Sequence, residues 1–291
     1  MKITVIGKGV FGKALGSLLE ENSVKFSYVD IDLPMREVSD LVFLTVPTQF
    51  LRVALKENKK FFKKETVFIN CSKGIEEKTH QLPFQIFKKE LNYKNYYTLA
   101  GPSFAQEIME KNPTLVSLGH NSSKYVYQIK KLVQTNYFRI KETEGLEALE
   151  LAAAFKNVYA ILCGYIDGLG YKINTRAKII TLALWEFAEL AKKIGFKYRS
   201  LAEPAIAGDL ILTCSSQESR NYRFGFYLAK MSSKEALEKV ASTVEGFYTS
   251  RSIQAISKKY KASLPIALLT HYIINKGNSA LPYFHKVISK V

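Results

Sequence analysis

Residues 3–12 read Ile3-Thr4-Val5-Ile6-Gly7-Lys8-Gly9-Val10-Phe11-Gly12, and Ala14-Leu15-Gly16-Ser17-Leu18-Leu19 follows directly. A short apolar run, a Gly-x-Gly-x-x-Gly turn and a helix start in that order form the opening of a dinucleotide-binding unit. Gly7 permits the tight turn, Gly9 lets the backbone approach a pyrophosphate, and Gly12 lets helix and strand pack closely. The helix start then offers unpaired N–H groups to the anion.

Working outward, strand-like and helix-like segments alternate. Lys25–Val29 and Leu41–Val46 read as strands, the second closed by Pro47, and Gln49–Lys60 reads as a helix. Thr66–Asn70 follows as a strand, Leu82–Leu91 as a helix, and Tyr97–Leu99 and Thr114–Leu118 as further strands. Short β-branched runs between amphipathic helices predict a mostly parallel sheet covered on both faces. Only about ten residues separate Asp30 from the next strand, too few for a crossover helix plus a strand. The unit is therefore shortened after its second strand.

From Gly145 the β-runs nearly disappear. Leu146–Leu162 is helical, and Thr175–Ile194 sets Ile180, Leu184, Phe187, Ala191 and Ile194 on one face, with Gly195 as the stop. Ser232-Ser233-Lys234-Glu235 is a capping-box start. The predicted architecture is an α/β Rossmann-type domain over 1–143 and an all-α substrate and catalytic domain over 144–291.

Composition narrows the function. A hydrophobic content of 47% is ample for sizeable cores. No apolar run approaches the roughly 18–20 residues of a bilayer span, so no membrane span is expected, and the N-terminus lacks a signal-peptide pattern. Cys71, Cys163 and Cys214 are scattered without metal or disulfide spacing, which fits a reducing cytoplasm. His80, His120, His271 and His285 lie far apart and are expected at the surface or in loops, with no metal site. The net charge of +16 favours anionic partners. Its lysines fall in scattered pairs, which read as solvated helix faces, so a phosphorylated small molecule is expected rather than nucleic acid.

Hydride transfer to a ketone builds negative charge on oxygen and calls for a positioned cationic acid. Lys156 is the candidate: it lies in an apolar helix among Leu149, Leu151, Phe155 and Val158, where desolvation lowers a lysine pKa. Lys73 follows a strand, where open α/β sheets meet ligands. Arg220 offers a planar fork for phosphate between Ser219 and Asn221. Asp30 ends the second strand at the place where an acidic residue bonds the ribose of NAD, which tilts the cofactor toward NAD over NADP, while Arg36 is near enough in sequence to accept a 2′-phosphate.

Several blocks then stand in order: the glycine turn, Val46-Pro47-Thr48-Gln49, Ser72-Lys73-Gly74-Ile75-Glu76, Gly101-Pro102-Ser103-Phe104-Ala105-x-Glu107, Lys156-Asn157, Gly208-Asp209-Leu210, Thr213-Cys214-Ser215-Ser216, Ser219-Arg220-Asn221 and Val244-Glu245-Gly246. Together they resemble the bacterial NAD(P)-dependent glycerol-3-phosphate dehydrogenases, from residue 1 to about Ile266. The resemblance implies interconversion of sn-glycerol 3-phosphate and dihydroxyacetone phosphate, supplying glycerophospholipid synthesis.

It implies Lys156 as proton acceptor in alcohol oxidation, with Lys73 and Asp209 completing the catalytic set; Asp209 orients either the substrate hydroxyls or the lysine. Substrate contacts are implied for Lys73, Gly101, Ser103, Lys156, Asp209, Thr213, Ser219, Arg220 and Asn221. Cofactor contacts are implied for Gly7, Gly9, Val10, Phe11, Gly12, Asp30, Pro47, Lys73, Ala105, Arg220 and Glu245. The chain departs from the family in Leu182-Ala183, where an Arg-Gly pair is usual, in Ile206-Ala207-Gly208, and in the segment missing after Asp30.

Two rivals stay open: another two-domain dehydrogenase acting on a hydroxyacid or imine, and a nucleotide- or anion-binding protein on a degenerate fold. A homodimer is compatible with either.

Overall fold

The computed structural model describes residues 1–196 and 201–289. It divides into two compact units, the first comprising 1–73 and 81–150, the second 74–80 and 151–291.

The first unit holds one seven-stranded sheet in the order β2-β1-β3-β4-β5-β6-β7. Its strands are β1 (Ile3–Ile6), β2 (Ser27–Val29), β3 (Ser39–Leu44), β4 (Phe62–Asn70), β5 (Tyr96–Ala100), β6 (Thr114–His120) and β7 (Phe138–Glu144). All neighbours run parallel except β5 and β6. The helices are α1 (Val10–Glu21), α2 (Thr48–Asn58), α3 (Pro83–Glu90), α4 (Ala105–Met109) and α5 (Val126–Val133).

Period-2 alternation sorts the apolar strand residues to two faces. Val5, Phe43 and Ile69 pack with Leu15 and Leu18 of α1 and Ile129 of α5. Ile6, Val42, Leu44 and Phe68 pack with Leu51 and Leu55 of α2 and Phe87 of α3. The sheet is thus covered on both faces, as the sequence predicts.

Two features refine that expectation. Strand β7 escapes notice in the sequence because it is an edge strand: only Phe138, Ile140 and Thr143 are buried, between charged outward residues. Residues 30–38 carry a turn closed by an Asp30–Leu33 bridge and no helix. Met35 from this short link is buried against the α2/α3 face of the sheet, filling space with one side chain.

The second unit is helical. Helix α6 (Leu146–Gly168) enters it from residue 151, and α7 (Ile173–Lys193), α8 (Asp209–Ser215), α9 (Arg220–Leu228), α10 (Ser233–Val240), α11 (Glu245–Ser250), α12 (Ile253–Tyr260), α13 (Pro265–Lys276) and α14 (Leu281–Ile288) follow. The Ser232 capping box forms as predicted, with Glu235 returning to the Ser232 N–H, and Gly195 takes the positive φ expected of a stop.

Helix α6 corrects one expectation: it is long and apolar enough to cross a membrane, but its most apolar stretch is wholly buried in the protein, as befits a core helix. Glycines let it approach α9 closely. A Cβ on Gly225 would stand 1.9 Å from the Ile161 carbonyl, and one on Gly164 1.9 Å from that of Tyr222. Helix α7 corrects another. Its buried face carries Ile179, Leu182, Ala183, Glu186, Phe187, Leu190 and Ala191, whereas Ile180, Leu184 and Ile194 are half-buried. A carboxylate inside that face displaces the stripe, because Glu186 accepts hydrogen bonds from the Tyr159 hydroxyl and from the Ile266 and Ala267 amides that open α13.

Candidate active site

In the first unit the candidate residues gather at the C-terminal ends of parallel strands. The order β2-β1-β3 puts the chain reversal at β1, the position where open α/β sheets form their ligand crevice. Gly7 has φ +106°, and a Cβ there would crowd the Thr45 and Val46 backbone. A Cβ on Gly12 would sit 2.0 Å from the Gly7 carbonyl oxygen, so no side chain fits. Gly9, capping α1, faces open space: a Cβ there meets nothing within 4 Å. Two glycines thus serve packing and the third leaves room for an approaching group.

Val10, Phe11 and Gly12 form the first turn of α1, which contains no acidic residue to oppose an anion. The Thr45 hydroxyl donates to the Ile6 and Gly7 carbonyls at 3.0 and 2.7 Å and holds the turn against β3. Asp30 anchors the other side. One carboxylate oxygen accepts from the Lys8 N–H at 2.5 Å, the other from the Ile31 N–H at 2.8 Å. These features fit a dinucleotide pyrophosphate and ribose.

Pro47 caps α2 just past β3. Lys73 follows β4, and its ammonium donates to the Gly101 carbonyl at 3.0 Å. The Ser103 hydroxyl donates to the same oxygen at 2.9 Å. Gly101 has φ +154°, and a Cβ there would meet Val116 at 2.8 Å. Lys73, Gly101 and Ser103 are therefore brought together, with Ala105 opening α4 beyond them.

In the second unit, Lys156 on α6 is buried and ion-paired. Its ammonium lies 2.6 Å from an Asp209 oxygen and 2.9 Å from the Thr213 hydroxyl, both on α8. Asp209 is itself buried and follows a π-helical turn over Pro204–Gly208; such turns often occur at functional sites. A small apolar recess touches Lys156, lined among others by Phe155, Tyr159, Phe187 and Leu210. The apolar surroundings read from the sequence are real, but the lysine has an acidic partner within them.

The neighbouring residue of α6 makes a second knot. The Asn221 amide donates to the Asn157 side chain at 2.9 Å, and its oxygen accepts from the Gly246 N–H at 2.9 Å. Gly246 is required there, since a Cβ would stand 2.4 Å from the Asn157 carbonyl oxygen. Lys156, Arg220 and Glu245 each precede one member of that knot, on three separate helices. Ser219 caps α9, accepting from the Tyr222 N–H. Desolvation lowers the Arg220 pKa from its usual value, while the Glu245 carboxylate raises it and Arg223 lowers it further. Leu182 and Ala183 are buried in α7.

Three buried groups depart from what the sequence suggests. Glu186 and Glu150 are both pushed up to about 7, chiefly by burial, against hydrogen bonds that pull them down. A charge inside an otherwise apolar run, Leu149-Glu150-Leu151-Ala152, was the available signal. His120 is the third, a correction to its expected place at the surface or in a loop: it is buried on β6, its Nε2 2.8 Å from Glu142 on β7.

Comparisons with known proteins give the family of the chain. The family model for the NAD-dependent glycerol-3-phosphate dehydrogenase C-terminus matches residues 146–283, and that for its N-terminus matches residues 28–126. A glycerol-3-phosphate dehydrogenase [NAD(P)+] of Halalkalibacterium halodurans is 31% identical over 310 residues, covering 94% of this chain and 90% of its own. That of Bacillus subtilis is 30% identical over 312 residues, covering 95% and 90%. In fold, a crystal structure of a glycerol-3-phosphate dehydrogenase from Coxiella burnetii superposes with a TM-score of 0.90 at 24% identity, covering 99% of this chain and 98% of that one. By these matches the chain belongs to the NAD-dependent glycerol-3-phosphate dehydrogenase family.

Proposed function

We propose that this chain is a cytoplasmic oxidoreductase that interconverts sn-glycerol 3-phosphate and dihydroxyacetone phosphate with NAD(P), feeding glycerophospholipid synthesis. The observation that carries the reading is the buried Lys156–Asp209–Thr213 cluster in the helical unit of a member of this family. The bound nicotinamide supplies or accepts the hydride. Lys156 holds the proton at the substrate oxygen: it donates as the ketone is reduced and accepts as the alcohol is oxidised. Asp209 and Thr213 fix the ammonium by direct hydrogen bonds, so it is held in place before reaction.

The first unit serves as the dinucleotide-binding domain. Its Gly7–Gly12 turn, with the Val10 and Phe11 amides, takes the pyrophosphate, Asp30 takes the ribose, and Pro47 and Ala105 contact the cofactor. Lys73 serves both ligands, and Gly101 and Ser103 serve the substrate. In the second unit Arg220 takes the substrate phosphate and, with Glu245, reaches the cofactor. Ser219 and Thr213 add hydroxyls. Asn221 acts by holding α9 in place, since both ends of its amide are engaged.

The test is NADH oxidation with dihydroxyacetone phosphate against non-phosphorylated ketones. Strong preference for the phosphate ester is expected; equal rates with a hydroxyacid-derived ketone would move the chain to another substrate. Arg220→Lys keeps the charge but loses the planar fork, so KM for dihydroxyacetone phosphate should rise by about tenfold or more. A change confined to the NADH constant would make Arg220 a cofactor residue only.

Cofactor choice follows from Asp30. Its carboxylate is held at the turn by the Lys8 and Ile31 amides and would repel a ribose 2′-phosphate, so NADH should exceed NADPH in kcat/KM. Asp30→Ala should weaken both cofactors by loosening the turn, and should also shift their ratio toward NADPH. A wild type that already prefers NADPH contradicts this assignment.

A further inference from the structure

From this geometry we infer that Glu150 is a positioning residue for Lys73, acting through Asn70; the inference rests on the proposed role of Lys73. The Glu150 carboxylate is buried at the start of α6. One oxygen accepts from the Tyr96 hydroxyl at 2.6 Å, the Thr98 hydroxyl at 2.7 Å and the Asn70 amide at 3.3 Å. The other accepts from the Phe84 N–H at 2.8 Å, in the first turn of α3. All four donors are neutral. Burying a carboxyl group without a counter-cation is costly, so an apolar residue would serve packing better. Its acceptor oxygens orient something.

Asn70 is what it orients. An amide presents similar shapes with oxygen and nitrogen exchanged, and only its partners decide which end points where. With four donors aimed at its oxygens, Glu150 is an acceptor here, so it draws the Asn70 NH2 toward itself. The Asn70 oxygen is then left to accept from the Ser72 N–H at 3.0 Å, while the NH2 also donates to the Ser72 carbonyl at 3.1 Å. Asn70 thereby holds both backbone groups of Ser72. The Ser72 hydroxyl ties the same turn to the Val46 carbonyl at 2.6 Å. The next residue is Lys73, reaching Gly101 at the end of β5. Glu150 thus sets the turn from which Lys73 projects without touching either ligand.

Glu150→Gln keeps the shape but turns an acceptor into a donor facing Asn70. Turnover should fall about ten- to hundredfold, as small misplacements of a working group do. Thermal melting should change little, and NADH binding by fluorescence should weaken no more than it does in Lys73→Ala. The deciding measurement is a double-mutant cycle in kcat with Lys73→Ala. If Glu150 acts through Lys73, the double variant is no slower than Lys73→Ala alone. Independent, multiplying losses would overturn the inference and make Glu150 a packing residue. Full activity in Lys73→Ala would remove the role of Lys73 itself, and the inference with it. Should Glu150→Gln fail to fold, Asn70→Ala breaks only the second link, and the same non-additivity with Lys73→Ala is required of it.

Discussion

Lys156→Ala should lower turnover by about 10²- to 10⁴-fold, the range for loss of a general acid–base group, while leaving NADH affinity nearly unchanged. The structure adds a second consequence. Lys156 and Asp209 are both buried, so removing the ammonium takes the counter-charge from an interior carboxylate. Breaking such a pair from one side typically costs about 3–5 kcal/mol, whereas replacing both members with apolar residues is often neutral. Thermal melting should therefore drop in Lys156→Ala and recover in Lys156→Met/Asp209→Leu. Turnover should stay low in both. This separation matters, because a slow but unstable variant would not by itself identify a proton-transfer group. Near-wild-type turnover in either variant would sink the assignment.

Gly12→Val should nearly abolish dinucleotide binding and destabilise the first unit. A Cβ at Gly12 would meet the Gly7 carbonyl at 2.0 Å and the Thr45 hydroxyl at 3.0 Å, and backbone cannot rotate away as a side chain can. Overpacking of this kind costs about 1–3 kcal/mol or more, and it spreads the turn that receives the pyrophosphate. Gly9→Ala is the informative contrast. Space is open there, so melting of the free protein should hardly move, while NADH affinity should fall about tenfold or more through steric exclusion of the phosphates. Unchanged NADH affinity in Gly9→Ala would falsify the placement of the pyrophosphate over that glycine.

Much of the first unit is legible in the sequence because its signals are local. The glycine turn, the β-branched runs and the period-2 sorting of Val5, Phe43 and Ile69 from Ile6, Val42 and Phe68 each need only a few consecutive residues. The shortening after Asp30 is equally local, a matter of counting. Motif blocks in the second half point to Lys156, Asp209, Thr213, Arg220 and Asn221 for the same reason. What a residue string cannot display is which polar groups meet across distant segments.

Only the tertiary structure pairs Lys156 with a carboxylate 53 positions away, and only there does Asn221 prove to bridge Asn157 and Gly246. The same holds for Glu150 and Glu186, which look like ordinary helix-surface charges until their donors arrive from other elements. Burial also decided matters that periodicity leaves open. The buried stripe of α7 turned to enclose Glu186, α6 became a core helix, and β7 joined the sheet as a thinly apolar edge. Short-range periodicity sets the elements and the chemistry available. Desolvation at long-range contacts then decides which polar groups are paired, and therefore which are held in place to act.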